Sequence, residues 1–423
     1  MLLLIFIIFT YFTITMLICK GRAEPLLLTI IGCSQILVGY YLINSDNVAW
    51  LYYFFSIISF ISGYFFVIFF LRKSKYEHNI KFPHKNNKLI YVDKVFITLV
   101  LLLVFYHFVV GGIPLLSNNV EIDRFSFNSS GLGGIPSRMV LFGLPFIVIY
   151  ATILNKRYKN LFPNKYLIII WCLFFIFKIL SGFKGVIVEI VYFSLFVFAI
   201  KGEAVSIRKL ISFKYFLYIG IAILFAGFMS LKYTSLGLNT LESVINYLAL
   251  RLTVMPAEPG YFAINNINTL NYWGSPLLNE FIYFIEKYSK IQLTISNEFP
   301  IDMIVSSNIY NTALNYSNFI VPVTVGGYAV FYLSFGLYLS FFVMFIAGFI
   351  YKFLLIKVNV VRSPFTAAVF GLIIYRMHIF ILSGGFWYFV INTFATVVIL
   401  STLWFIAYQI VSILSKTQNK LRY

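Results

Sequence analysis

The chain has 423 residues, of which 61% are hydrophobic, 20% aromatic and only 11% charged, with a formal net charge of +18. Soluble domains carry about a quarter charged residues, so this composition excludes a soluble globular protein and indicates a polytopic, all-α membrane protein. The three cysteines, Cys19, Cys33 and Cys172, fall inside apolar runs, and they form neither a disulfide framework nor a CxxC metal pattern.

In chain order, apolar runs long enough to cross a hydrocarbon core, roughly 20 helical residues, are predicted near 2–19, 25–43, 48–71, 95–111, 138–154, 166–182, 185–200, 215–231, 323–351, 364–383 and 386–412. That is about eleven spans in a single bundle covering 1–423. The first run has no basic residue before it and no A-x-A-like site after it, so it is expected to be a retained helix and not a cleaved signal peptide.

Loop charge orients this bundle, because Lys and Arg concentrate in cytoplasmic loops. With the N-terminus outside and the C-terminus cytoplasmic, the inner segments hold 23 of the 32 basic residues, against the four acids Glu24, Glu77, Asp93 and Glu203. The basic excess is therefore a topology signal, and a nucleic-acid partner is not expected. Two polar stretches then face outward, a loop at 111–137 and a longer one at 231–322. The longer stretch reads as broken amphipathic helix with Pro and Gly punctuation: LESVINYLALRL, TVMPAEPG, NYWGSPLLNEFIYFIEKYSK and SNEFPIDMI. It contains Arg251, Glu258, Glu280, Glu286, Glu298 and Asp302, and its aromatic and branched aliphatic content argues for a folded outer cap.

Outward segments have no orientational reason to carry cations, so those they hold ask for another account. Arg138 opens a span and can snorkel to the interface. Lys184, in the SGFKG turn, can serve as an interfacial anchor. Lys178 and Glu189 flank that turn inside two successive spans, where a neutralising pair is expected. Arg124 follows Asp123, and a local ion pair is one reading; Arg251 lies two turns after Glu242, where a surface pair is another. Arg376 and His378 lie within the outer third of the apolar span FGLIIYRMHIFILSGG, where an ionisable side chain is a functional hypothesis by default. Two residues apart, they point about 200° from each other around the helix axis, so only one of them meets a common cleft, and Arg376 is the favoured one.

Guanidinium is planar, permanently charged and matched to two oxygens at once, which suits a pyrophosphate or an acidic sugar. Arg124, Arg251 and Arg376 come from three outer segments that a bundle can bring together, and His378, Glu258 or Asp123 would supply a general base. No metal-ligand spacing, Walker A, GxSxG or GxGxxG after a strand is present, so neither a metal nor another cofactor is expected.

GGIPLL with an Arg-bearing outer loop, SGFKG at an outer turn, a long outer loop with an Arg, then TVGGYAVFYLSFGLYLSFFVMFIAG and a late Arg/His/SGG span together resemble the bacterial oligosaccharide repeat-unit polymerases, the O-antigen polymerase group. Lys184 stands where that group often has Arg, and Ser334 stands where an acid often precedes the Phe-Gly, here Phe335 and Gly336. The resemblance implies a bacterial inner-membrane, metal-independent glycosyltransferase that extends a surface polysaccharide such as O-antigen or capsule at the outer leaflet. Its substrates would be undecaprenyl-pyrophosphate-linked oligosaccharides among membrane lipid, and its protein partners a chain-length regulator and a flippase. Arg124, Lys184, Arg251 and Arg376 would bind pyrophosphate and sugar. The O-antigen ligases share outward arginines and a late His, and a lipid-linked oligosaccharide flippase is the rival from another class. A flippase should show internal repeats between its halves, and none is visible.

Overall fold

The computed structural model describes residues 25–46, 48–71, 87–117, 134–182, 186–201, 254–266, 275–289, 301–310 and 325–420, with single positions between them. Among the described residues the regular structure is helical throughout, with no strand. The helices are α1 (Pro25–Ile43), α2 (Ala49–Leu71), α3 (Asn87–Gly111), α4 (Ile135–Arg157), α5 (Asn164–Leu180), α6 (Val186–Lys201), α7 (Val254–Asn266), α8 (Pro276–Ser289), α9 (Ile301–Tyr310), α10 (Gly327–Val360), α11 (Pro364–Ser383) and α12 (Phe386–Lys420).

Seven of these, α1 to α4 and α10 to α12, are long and apolar enough to cross a membrane, and the chain is membrane-embedded. The apolar runs at 166–182 and 185–200 form α5 and α6, of 17 and 16 residues. Those at 2–19 and 215–231 lie outside the described residues. Between the runs at 215–231 and 323–351, the 231–322 stretch contributes α7, α8 and α9, the first with Pro259 inside it.

Two expectations need correction. The run at 323–351 becomes α10, which continues to Val360 and breaks at Gly336 (φ 72, ψ −176), a conformation that glycine alone adopts readily. Asp93 does not sit in a loop: α3 begins at Asn87, because the polar residues before the apolar run have helical propensity of their own, and the carboxylate is 1% exposed. Tyr150 donates to it at 2.5 Å and the Trp404 indole at 3.5 Å, and Phe96, Phe146 and Phe365 surround Tyr150.

The chain divides into two compact units. The first comprises Met1–Tyr76, Thr240–Leu354 and Ile374–Ile391. Its helices approach through small residues: a Cβ on Gly63 would overlap the Phe345 carbonyl oxygen, and one on Gly348 would overlap that of Phe60. Beside them Ser59 donates to the Phe341 carbonyl at 2.6 Å. Backbone-to-backbone contact of this kind is how helices associate when lipid removes the hydrophobic drive. α7 lies along α1, with Gly260 against the Tyr40 hydroxyl and the Val325 carbonyl. Ala263, Ile301, Val305, Val325, Ala329 and Val330 form a core shared by α7, α9 and the start of α10.

The second unit comprises Glu77–Asn239, Leu355–Ile373 and Asn392–Tyr423. Within α4, residues Met139–Gly143 form a π-helical turn, with the Leu144 N–H reaching the Met139 carbonyl. Pro145 has no N–H to continue the α-helical ladder there, and the bulge absorbs the loss. Arg138 donates to the Asn392 side-chain oxygen at 3.3 Å, so it has a protein partner and is only half-buried. Lys178 and Glu189 pair at 2.7 Å, as expected of two charges flanking one helical turn-back.

Candidate functional site

A group of polar side chains in the first unit gathers where three chain junctions meet. α11 ends at Ser383, and Gly384 and Gly385 follow with φ of 78 and 74 before α12 begins at Phe386. The Gly384 N–H returns to the Phe380 carbonyl at 2.7 Å, a glycine-terminated helix end. The Gly326 N–H reaches the Ser383 carbonyl at 3.3 Å, and a Cβ on Gly384 would meet the Gly326 nitrogen at 3.0 Å. Only glycine lets these two segments touch.

The first turn of any helix leaves N–H groups without an intrahelical acceptor. At α12 the acceptor is Glu280, carried in from α8: its carboxylate takes the Tyr388 N–H at 3.0 Å, and the backbone N–H groups of Trp387 and Phe386 also favour its charged form. α8 is held in place for this by Pro276 in its first turn, by Ser334, whose hydroxyl accepts the Leu277 N–H at 3.3 Å, and by Phe281 against Trp387, with ring centroids 4.6 Å apart. Glu280 is 7% exposed. Burial pushes its carboxyl above the usual range, against the pull of the three N–H groups.

Asp302, in the first turn of α9, does the same for the approach to α10, accepting the Val325 N–H at 3.1 Å. Burial among apolar neighbours raises it to about 7; the Val325 N–H opposes that rise and the Glu280 charge adds to it.

Arg376 joins this group from α11. It is 6% exposed, and its guanidinium carbon lies 5.7 Å from the centroid of the Tyr388 ring, within cation–π range. Tyr388 is thus held twice, through its backbone by Glu280 and through its ring by Arg376. His378 leaves α11 toward other neighbours. It is buried, with Nδ1 3.0 Å from the Thr29 hydroxyl, which in turn lies 3.4 Å from that of Tyr351. The divergence of Arg376 and His378 follows the 200° offset of their positions. Here the histidine is part of a hydrogen-bonded helix contact.

Of the other residues singled out in the sequence, Glu258 is exposed on α7 and Asp123 is a half-buried single position in the second unit. Arg124, Lys184 and Arg251 lie outside the described residues. Among the described residues no cluster of three His, Cys, Asp or Glu side chains could hold a metal ion.

No protein-family model, curated protein or solved structure matches the chain. The site is therefore read from its own chemistry.

Glu280 and Asp302 were missed as site residues, although both stand in the 231–322 stretch. The one signal was positional: Glu280 shares a helix face with Phe284, four residues on, so an acid falls on the apolar side of an amphipathic helix. Together the group offers a permanent cation, an aromatic ring, a helix N-terminus and two carboxyls whose burial favours the protonated form. Such a set can neutralise an anionic oxygen and exchange a proton near neutral pH.

Proposed function

We propose that this chain polymerises lipid-linked oligosaccharide repeat units into a surface polysaccharide, with eleven spans, the N-terminus outside, the C-terminus cytoplasmic and the 231–322 stretch on the outer face. The observation that carries this reading is Arg376: a permanent charge, buried near the end of an apolar helix and set against the ring of Tyr388, whose backbone N–H is held by Glu280 from the long polar stretch. A buried cation in a membrane helix is costly and by default marks a functional site. The resemblance of the sequence to repeat-unit polymerases supports the choice of anion.

In this reading a sugar hydroxyl of one lipid-linked chain attacks the anomeric carbon of the other chain's reducing-end sugar, and undecaprenyl pyrophosphate leaves with the bonding pair. Arg376 meets charge growing on the departing oxygens, and no metal is needed because pyrophosphate is already a competent leaving group. Glu280 or Asp302 takes the hydroxyl proton, which gives the raised carboxyls a use that Glu258, exposed on α7, does not share.

The test is surface-glycan electrophoresis of a strain lacking the protein, complemented with wild type, Arg376→Ala or Arg376→Lys at equal membrane abundance. Loss of long chains with one capped repeat retained, unrestored by Arg376→Ala and partly restored by Arg376→Lys, supports the reading. Loss of every repeat points to a ligase or flippase, and an unchanged profile refutes all three.

A further inference from the structure

The second unit contains a cavity of about 80 Å³ that the proposed glycan chemistry does not use. Thr152, Ile153, Lys156 and Arg157 of α4, Ile200 of α6, and Val358 with Asn359 of α10 line it. Its wall is divided by chemistry. Among the described residues, Ile153, Ile200 and Val358 make an apolar side, while Lys156 and Arg157 bring two cations beside Thr152 and Asn359.

The two cations have different duties. Arg157 is half-buried and gives its guanidinium to main-chain oxygens at the end of α10, to the Val358 carbonyl at 2.9 Å and the Arg362 carbonyl at 3.1 Å. That use is structural, since it neutralises the negative end of a helix dipole. Lys156 is exposed, and its ammonium lies 3.2 Å from the Asn359 side-chain oxygen. It stands at the edge of the cavity, beside the Arg157 guanidinium and the aliphatic side chains.

The position narrows the occupant. α4 ends at Arg157 and α10 at Val360, and both are long and apolar enough to span a bilayer, so the cavity lies where hydrocarbon gives way to headgroups. A basic recess between membrane helices at that depth suits an anionic headgroup. Its volume admits a phosphate group but not a nucleotide.

We infer that this cavity binds a phosphate-type anion, and that the anion is the headgroup phosphate of an anionic phospholipid whose first carbons rest on Ile153, Ile200 and Val358. Lys156 supplies the charge that selects the ligand, and Arg157 holds the wall.

The test is native mass spectrometry of the full-length protein in mild detergent, offered equal amounts of phosphatidylglycerol and phosphatidylcholine. Wild type should retain phosphatidylglycerol preferentially, and Lys156→Gln should lower that retention about fivefold, the worth of one basic residue near an anionic surface. Lys165→Gln, which removes an exposed cation on α5 away from the cavity lining, should leave it unchanged. Equal retention of the two lipids, or equal losses in the two variants, overturns the site. Displacement of the phosphatidylglycerol by inorganic phosphate at tens of millimolar, again dependent on Lys156, keeps the anion site but overturns the lipid as its source.

Discussion

Glu280 is where stability and activity should separate. Its carboxyl is raised because burial outweighs the three α12 N–H groups that favour the charged form. An acid whose folded pKa lies above its unfolded value contributes stability that is present below the unfolded pKa and lost as pH rises through the folded one. Glu280→Gln keeps an acceptor oxygen for α12 but cannot ionise. It should be as stable as wild type at acid pH and should gain on wild type as pH rises toward 8. Glu280→Ala removes the acceptor altogether and leaves buried N–H groups of the first turn unsatisfied, at about 1–3 kcal/mol. Thermal unfolding in detergent, followed by helical circular dichroism from pH 5 to 8, reads both effects, and chain extension is assayed on the same preparations. The expected pattern is Gln at least as stable as wild type yet poorly active, with Ala deficient in both. If Gln is destabilised as much as Ala at pH 8, the charge itself holds α12, and the inference from desolvation is wrong.

Asp302, raised to about 7, supplies a second titration. Wild-type stability relative to Asp302→Asn should fall as pH rises from about 4 to 7 and level off above; a flat difference over that window removes Asp302 from the pH response. Gly63→Ala or Gly348→Ala should push apart two helices that touch through backbone, at about 1–3 kcal/mol for each, and a variant that unfolds like wild type would mean that the crossing relaxes freely. The Lys178–Glu189 pair should be asymmetric, because the side chains are 4% and 32% exposed. Removing Glu189 strands a buried ammonium and should cost about 3 kcal/mol or more, whereas Lys178→Ala leaves a carboxylate that water reaches, and equal losses would contradict the burial.

What could be read in advance had short-range causes. The bounds of α1 and α11 match the apolar runs at 25–43 and 364–383, because nothing polar blurs their ends. The Lys178–Glu189 pair was legible because the two apolar runs that carry these residues are separated by only a short break, and positions at similar distances from such a break can meet. The divergence of Arg376 and His378 follows from helical periodicity alone. Glu280 and Asp302 were opaque because their partners are backbone N–H groups 108 and 23 residues away, and a main-chain donor leaves no mark in composition. The break in α10 was hidden because a glycine in an apolar run serves helix packing as often as bending. Asp93 was misplaced because loop-charge counting assigns an acid by its sequence neighbours, and its stabilising Tyr150 and Trp404 come from α4 and α12.

The break at Gly336 also divides α10 into two arms. A helix interrupted at one residue exposes amide and carbonyl groups that hydrocarbon cannot solvate, so such a break is tolerated only inside protein or against water. Gly336 is exposed, and the space where a Cβ would stand is open to 4 Å. In a bilayer, the freed backbone groups of α10 would need water or protein at this height. The segment from Leu337 to Val360 is about 36 Å long at 1.5 Å per residue, long enough for a hydrocarbon core, while Gly327 to Phe335 forms a separate arm. Ser334 on that arm holds α8, and α8 holds Glu280 at α12. A change in the angle at Gly336 would therefore shift Ser334 and, through α8, the carboxylate that holds α12.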